Sequence, residues 1–386
     1  MSGGSSGATP KRTRGPRVLP IPISEYGYTS LFMPVSFVVL LIAVVSYLLG
    51  FPVAKILARL GAVDQPNARS SHLKPVVRGG GITMAGGAFL LVFCGFPLPW
   101  GVTAVMLSAA LGIGVVSFYD DIKSVGAAIR FGCHSVAAIA ALVVLHFSGL
   151  GLDSSGLPVP VVALLWLLGF LWMVGYTNAF NFMDGINGLA AGQAIVTGFG
   201  MALLGSLTLR GYDRAPVLWC VAIASAALGF LPHNFPQARI FMGDVGSAPL
   251  GFCLAMLTLW LAKSVGWWLL IPLVLLHANF VLDTGITLVR RILRGERWYD
   301  AHREHFYQRL IRSGKSHPFV TGLEMALQAV VLGLMVLYLH ASAPMRVGLI
   351  ALVILVWLAF FAFCEHSFRR SNFQQKLKTN TEKLKN

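Results

Sequence analysis

The residues of this chain best placed to do chemistry are Asp120-Asp121, Asp184 and Asp244, because each abuts a long apolar segment. A carboxylate at the edge of a bilayer is costly unless it is paired, hydrated or metal-bound, so it is a functional candidate by default. Adjacent carboxylates also repel. Keeping Asp120 and Asp121 together calls for a cation, or leaves one acid with a raised pKa of the kind a general base needs. A solvated interfacial pair is the plainer alternative. Three such acidic stretches point to shared magnesium and diphosphate chemistry.

The second stretch, Asn178-Ala-Phe-Asn181-Phe-Met-Asp184-Gly-Ile-Asn187-Gly, repeats a polar side chain every third residue. On a helix that spacing keeps the polar groups on one face. Amides both donate and accept hydrogen bonds, which suits a nucleotide or an N-acetyl sugar. Asp184 alone could be explained as a helix cap, but capping does not account for four polar residues. The third stretch runs from Asn234 through Arg239 and Phe241 to Gly243-Asp244-Val-Gly246-Ser247. Asp244 could hold Mg²⁺, a hard ion that prefers carboxylate oxygen. The helix start that follows could bind phosphate, and Phe241 could stack on a base. A tight turn with a capped helix is the alternative here.

Other candidates are weaker. Asp283 lies within an apolar segment, and its helix face also carries Asn279 and Arg290, so a pair with either is expected; a structural role competes with a catalytic one. In Ala301-His302-Arg303-Glu304-His305, the two histidines and Arg303 could clamp a diphosphate. Zinc there lacks a third ligand. The basic, glycine-rich stretch from Arg69 through Lys74 and Arg78 to Gly81 gives supporting evidence for phosphate binding, as does Lys123 after the Asp pair.

These residues need a frame, and the composition supplies one. The chain has 386 residues, 56% of them hydrophobic and 12% charged, with a mean hydropathy of +0.72. That is the profile of an all-α polytopic membrane protein. Apolar windows of span length occur at 31–50, 79–98, 101–119, 131–149, 159–176, 187–206, 215–231, 246–263, 267–289, 319–339 and 345–364. They predict a bundle of about 11 transmembrane helices. Placing the first loop in the cytoplasm leaves only Arg210, Arg214, Lys263 and Arg346 outside, apart from the first 30 residues. All three acidic stretches then face the cytoplasm, as does the C-terminus.

Residues 1–30, rich in Gly, Ser and Pro and carrying Lys11, Arg12, Arg14 and Arg17, read as a disordered basic tail. Residues 31–370 read as the membrane domain and 371–386 as a basic cytoplasmic tail. Five cysteines stand singly in apolar segments, so neither a disulfide framework nor a zinc site is indicated. The net charge of +15 fits positive-inside bias and attraction to anionic headgroups or a phosphorylated substrate. No nucleic-acid-binding module is present.

Taken in order, Asp-Asp, Asn-x-x-Asn-x-x-Asp-Gly-x-Asn-Gly, Phe-Met-Gly-Asp-x-Gly-Ser and His-Arg-x-x-His resemble the polyprenyl-phosphate N-acetylhexosamine-1-phosphate transferases (glycosyltransferase family 4) over roughly residues 31–370. The likeness is greatest to the branch that initiates O-antigen in lipopolysaccharide synthesis. It implies ten or eleven helices with a cytoplasmic active-site cleft, in the bacterial inner membrane. It also implies transfer of a sugar 1-phosphate from a UDP-N-acetyl sugar to undecaprenyl phosphate, with release of UMP. Mg²⁺ would be the cofactor, with Mn²⁺ a substitute, and the likeness leaves room for a homodimer.

Carried over by residue, Asp120 would deprotonate the lipid phosphate with Asp121 beside it, and Asp244 would hold Mg²⁺. Asp184 would join the catalytic acids and, with Asn178 and Asn181, shape the cleft. Phe241 would stack on uracil while Asn187 and Asn234 line the nucleoside pocket. His302, Arg303 and His305 would meet the diphosphate or sugar. Asn187 stands where the muramoyl-pentapeptide translocase usually has aspartate, and the translocase's three successive histidines are lacking, which argues against its donor. UDP-N-acetylfucosamine or UDP-N-acetylquinovosamine is the expected donor, with UDP-GlcNAc the alternative. Direct in-line attack is expected over a covalent aspartyl intermediate. A secondary transporter is the rival class, but its site would sit nearer the bilayer midplane, between repeats this chain lacks.

Overall fold

The computed structural model describes residues 35–66, 75–93, 96, 98–123, 125–148, 157–209, 214–297 and 302–385. Lys74 and the N-terminal tail lie outside them. Apolar runs without internal punctuation fold into long helices. They are α1 (Val35–Arg59), α3 (Trp100–Ile122), α4 (Ala127–Phe147), α5 (Val159–Phe182), α6 (Leu189–Thr208), α7 (Ala215–Asn234), α8 (Asp244–Val265), α12 (His317–His340) and α13 (Ala343–Lys385). Among the described residues these nine are long and apolar enough to cross a membrane.

Two expected spans take other forms. The window at 79–98 holds α2 (Ile82–Phe93), whose 12 residues reach only about 18 Å, short of a bilayer core. Gly79 at φ 106° and the turn at Gly80-Gly81 delay its start. The window at 267–289 breaks at Leu276-His277 into a segment containing α9 (Leu270–Leu275) and a second helix, α10 (Ala278–Leu293), bent by 71°. Counting this pair as one span brings the number to ten. A short helix, α11 (Phe306–Arg312), precedes α12.

The bundle is built around α6, α7 and α8, with 72%, 67% and 78% of their spans buried. Their sequences explain why. Lipid provides no hydrophobic drive between helices, so small residues that admit close backbones decide the packing. α6 and α7 are rich in Gly, Ala and Ser, and a Cβ on Gly198 would stand 3.0 Å from the Cys220 carbonyl oxygen. The outer helices turn large apolar side chains outward, among them Leu40, Leu111, Val136, Leu167 and Leu355.

One element has no precursor in the periodicity. Strands β1 (Val63–Asp64), β2 (Val76–Arg78) and β3 (Ile240–Phe241) form a small sheet in the order β1-β2-β3. β2 runs antiparallel to β1 and parallel to β3, with Val77 opposite Ile240 and Arg78 opposite Phe241. This sheet sews the loop after α1 to the loop before α8, at the bundle end where α3 and α5 stop.

Candidate active site

Asp120 and Asp121 form the last turn of α3, and neighbouring helix positions point them at different partners. Asp120 accepts the Val125 N–H at 2.6 Å and pairs with Arg130 Nη1 at 2.8 Å, across the turn into α4. Asp121 pairs with Arg78 Nε at 2.9 Å and accepts the backbone N–H groups of Asp244 and Val245 at 3.4 and 3.3 Å. It therefore occupies the N-terminus of α8, where a phosphate was expected; a carboxylate meets the same exposed N–H groups and helix dipole. The mutual repulsion of the two acids is relieved by an arginine for each.

Asp244 joins the two halves. Its Oδ1 lies 2.6 Å from Arg78 Nη2, and its Oδ2 lies 3.6 Å from Arg130 Nη1 and 3.3 Å from Asn181 Nδ2. Ser247 donates to Asn181 Oδ1 at 2.5 Å and so sets which way that amide points. Arg78 thus bridges Asp121 and Asp244, and Arg130 bridges Asp120 and Asp244. Burial works against the charge of Arg78, but Asp244, Asp121 and Asp64 outweigh it and hold the guanidinium above its ordinary pKa. Glycine is required at 243: φ is 73°, and a Cβ there would lie 2.9 Å from both Asp121 Oδ2 and the Gly79 nitrogen. Gly81 and Gly246 touch backbone to backbone, which closes the seam between β2 and α8.

Asp184 sits in the turn between α5 and α6. Burial first, then the charge of Asp244, pushes its carboxyl well above the usual range; Arg78 pulls the other way. The polar run is only half helical. Asn178 and Asn181 end α5, whereas Asp184 and Asn187 belong to the turn that follows, where Gly188 takes φ 78°. The single face expected for all four is not formed, and Asp184 does not cap α6. Asn178 donates to the Val174 carbonyl of its own helix at 2.7 Å. Asn187 donates to the Pro236 carbonyl at 3.1 Å, and its backbone meets His317 Nδ1 and Thr321 Oγ1. Asn234 is buried, accepting from the Gly188 N–H at 2.7 Å and donating to the Ile240 carbonyl at 2.9 Å. Asn187 and Asn234 thus hold two loops in register. Phe241 is half-buried in β3.

The histidine run approaches from another side. His305 Nδ1 lies 2.9 Å from Asp283 Oδ1, and Asp283 accepts the N–H groups of Phe306 and Tyr307. Asp283 therefore anchors the start of α11 rather than pairing with Asn279 or Arg290. Asn279 donates to Gln193 instead, and Arg290 faces Glu365. The Tyr307 hydroxyl donates to the Phe182 carbonyl at 3.0 Å, docking this segment beside the Asp184 turn. The His302 and His305 rings are 4.9 Å apart. Burial, then the charges of His305 and Arg291, lower His302 to about 4, so it is neutral at neutral pH. Arg303 follows His302 on the same segment. Lys123 Nζ lies over the ring of Tyr119, 5.9 Å from its centre.

Among the described residues, no three His, Cys, Asp or Glu side chains stand ready to enclose one ion. Zinc wants three or four such ligands, and His302 and His305 are two. Magnesium asks less of the protein, since it keeps waters and binds through one or two carboxylates plus substrate phosphate. The Asp121–Asp244 pair, brought together on a single guanidinium, fits that requirement. Arg130 and Ser247 are the residues that sequence reasoning passed over. Arg130 was legible as an arginine in the first turn of an apolar helix, ten residues after Asp120, but positive-inside bias explained it equally well. Ser247 follows Asp244 by three positions, on the same helical face.

Residues 103–262 match the family model for glycosyl transferase family 4, a stretch that includes Asp120, Asp121, Asp184 and Asp244. The chain is 32% identical over 306 residues to a decaprenyl-phosphate N-acetylglucosaminephosphotransferase of Mycobacterium tuberculosis, covering 71% of this chain and 75% of the relative. It is 32% identical over 313 residues to a probable undecaprenyl-phosphate N-acetylglucosaminyl 1-phosphate transferase of Bacillus subtilis, covering 77% and 84%. Identity to a phospho-N-acetylmuramoyl-pentapeptide-transferase of Neisseria gonorrhoeae is 30% over 231 residues, covering 51% and 63%.

Proposed function

The chain belongs to glycosyl transferase family 4, the polyprenyl-phosphate N-acetylhexosamine-1-phosphate transferases, and from that footing we propose the reaction it catalyses. A UDP-N-acetylhexosamine gives its sugar 1-phosphate to undecaprenyl phosphate, and UMP leaves. An oxygen of the lipid phosphate attacks the sugar-bearing phosphorus, a new P–O bond forms, and the bond to the UMP oxygen breaks.

The observation that carries this reading is the interlock of Asp120, Asp121 and Asp244 through Arg78 and Arg130. Two anionic phosphates cannot approach without positive charge between them. Arg78 and Arg130 supply fixed charge at that place. Three carboxylates, those of Asp120, Asp121 and Asp244, share the two guanidiniums, an imbalance that leaves a place for a cation. Magnesium held by Asp244 with Asp121 would offset diphosphate charge there. Asp120 accepts the acceptor's proton, and the His302–His305 segment holds the sugar or diphosphate from the side of α11. Phe241, near the pairing of β2 with β3, is the residue offered to the uracil ring.

Two finer points follow. The relatives named for N-acetylglucosamine transfer match more closely and over more of the chain than the pentapeptide one, which supports UDP-GlcNAc over a muramoyl-pentapeptide donor; UDP-N-acetylfucosamine and UDP-N-acetylquinovosamine are the other donors to be compared with it. The lysines and arginines gathered at the site's end of the bundle support a cytoplasmic active site; the membrane proposed is a bacterial inner membrane and the product O-antigen or a related surface polysaccharide. Purified protein with Mg²⁺, undecaprenyl phosphate and a panel of UDP-N-acetyl sugars tests all of this. UMP release with UDP-GlcNAc is expected; uptake of a solute into liposomes without UMP would instead support the transporter reading.

A further inference from the structure

The break between α9 and α10 lies against a buried cluster of polar side chains that the chemistry above leaves unused. The Leu276 carbonyl accepts from Gln193 Nε2 and Thr197 Oγ1, each at 3.1 Å, and from Gln328 Nε2. These bonds fix how the two glutamines are turned, because a flipped amide would aim oxygen at oxygen. Gln193 then receives Asn279 Nδ2 at 2.9 Å, which turns the Asn279 carbonyl oxygen away. The same Nδ2 lies 3.5 Å from Glu324 Oε2. Three oxygens are left over: Asn279 Oδ1, Glu324 Oε1 and Gln328 Oε1. None has a hydrogen-bond partner, and their residues are 1%, 1% and 0% exposed.

Three buried unpartnered acceptors on neighbouring side chains require positive charge or donors. A proton on Glu324 answers one of them, because a carboxylic acid has a single O–H. A cation answers all three. Charge then sets its valence: one carboxylate is neutralised by one monovalent ion, whereas a divalent ion would leave net charge in an apolar interior. In transporters, too, alkali ions bind where a membrane helix is broken. Asp283, one turn along α10, adds negative potential while spending its own oxygens on α11.

We propose that Glu324, Gln328 and Asn279 supply ligands to a partly hydrated alkali-metal cation joining α10 to α12. Because α10 carries Asp283, the ion stiffens the frame on which the His302–His305 segment is seated. This is separate from the aspartate cluster and does not depend on the reaction proposed for it.

The test is the thermal unfolding midpoint of detergent-purified protein in NaCl, KCl or choline chloride at equal ionic strength, with EDTA throughout so that divalent ions play no part. Sodium or potassium should raise the midpoint saturably over choline, by about 2–3 °C at ten times the half-saturating concentration. Glu324→Gln should abolish the difference. Should that variant fail to fold, Gln328→Met should raise the half-saturating concentration several-fold. Equal wild-type midpoints in all three salts, a salt effect that survives Glu324→Gln, or an unchanged half-saturation in Gln328→Met would overturn the proposal.

Discussion

Arg78 reaches Asp121 through Nε and Asp244 through Nη2, a two-armed contact for which the guanidinium fork is shaped and an ammonium is not. Arg78→Lys keeps the charge yet should lower kcat/KM about 10²-fold or more, the scale of losing one positioned electrostatic contact. Steady-state UMP release measures this; activity near wild type would remove Arg78 from the site. Asp184 makes a different prediction. Its folded pKa is raised, so between the unfolded value near 4 and the folded one the native state binds the extra proton. Its contribution is fully present below the unfolded pKa and is lost as pH rises through the folded pKa. Asp184→Asn should therefore gain in midpoint relative to wild type as pH goes from about 5 to about 9. A difference that stays flat with pH would contradict the buried, raised carboxyl.

The elements carry the site through their ends. α3 ends on the Asp pair, α8 begins on Asp244, and the small sheet brings Arg78 between them. Gly243 is where these ends crowd most, since any Cβ would meet Asp121 and Gly79 on a backbone of positive φ. Gly243→Ala should cost about 1–3 kcal/mol and most of the activity, read from the unfolding midpoint and UMP release; an unperturbed variant would mean the seam is loose. At this scale the sequence was legible where apolar length decides, as in α1 and α3 to α8. It was misleading where two causes leave one mark. Arginines at helix ends satisfy topology and catalysis alike, so Arg78 was ranked low and Arg130 was not ranked at all. Strands of two or three residues have no periodicity to read, so the sheet that sets Arg78 was invisible. The three-residue spacing of Asn178, Asn181, Asp184 and Asn187 suggested one helical face, but Gly185 and Gly188 end that reading in a turn. The bend at Leu276 was hidden because side chains from α6 and α12 satisfy its carbonyl.

In the whole molecule, a centre of small residues lets α6, α7 and α8 pack closely, while the outer helices present leucine and valine to lipid. That division puts a rigid scaffold behind the aspartates, and the polar stretches gather at one end of the bundle. The His302–His305 segment meets this end through the Tyr307–Phe182 bond, so one face combines acids, arginines and histidines. The proposed chemistry depends on Asp244 being the point where the arms of this face meet a divalent ion. UMP release titrated with Mg²⁺, for wild type and for Asp244→Ala, tests this most directly. The prediction is saturable magnesium dependence in the wild type and, in the variant, loss of turnover by at least about 10³-fold that added metal does not restore. Wild-type turnover in EDTA, or an Asp244→Ala protein with full activity, would contradict it.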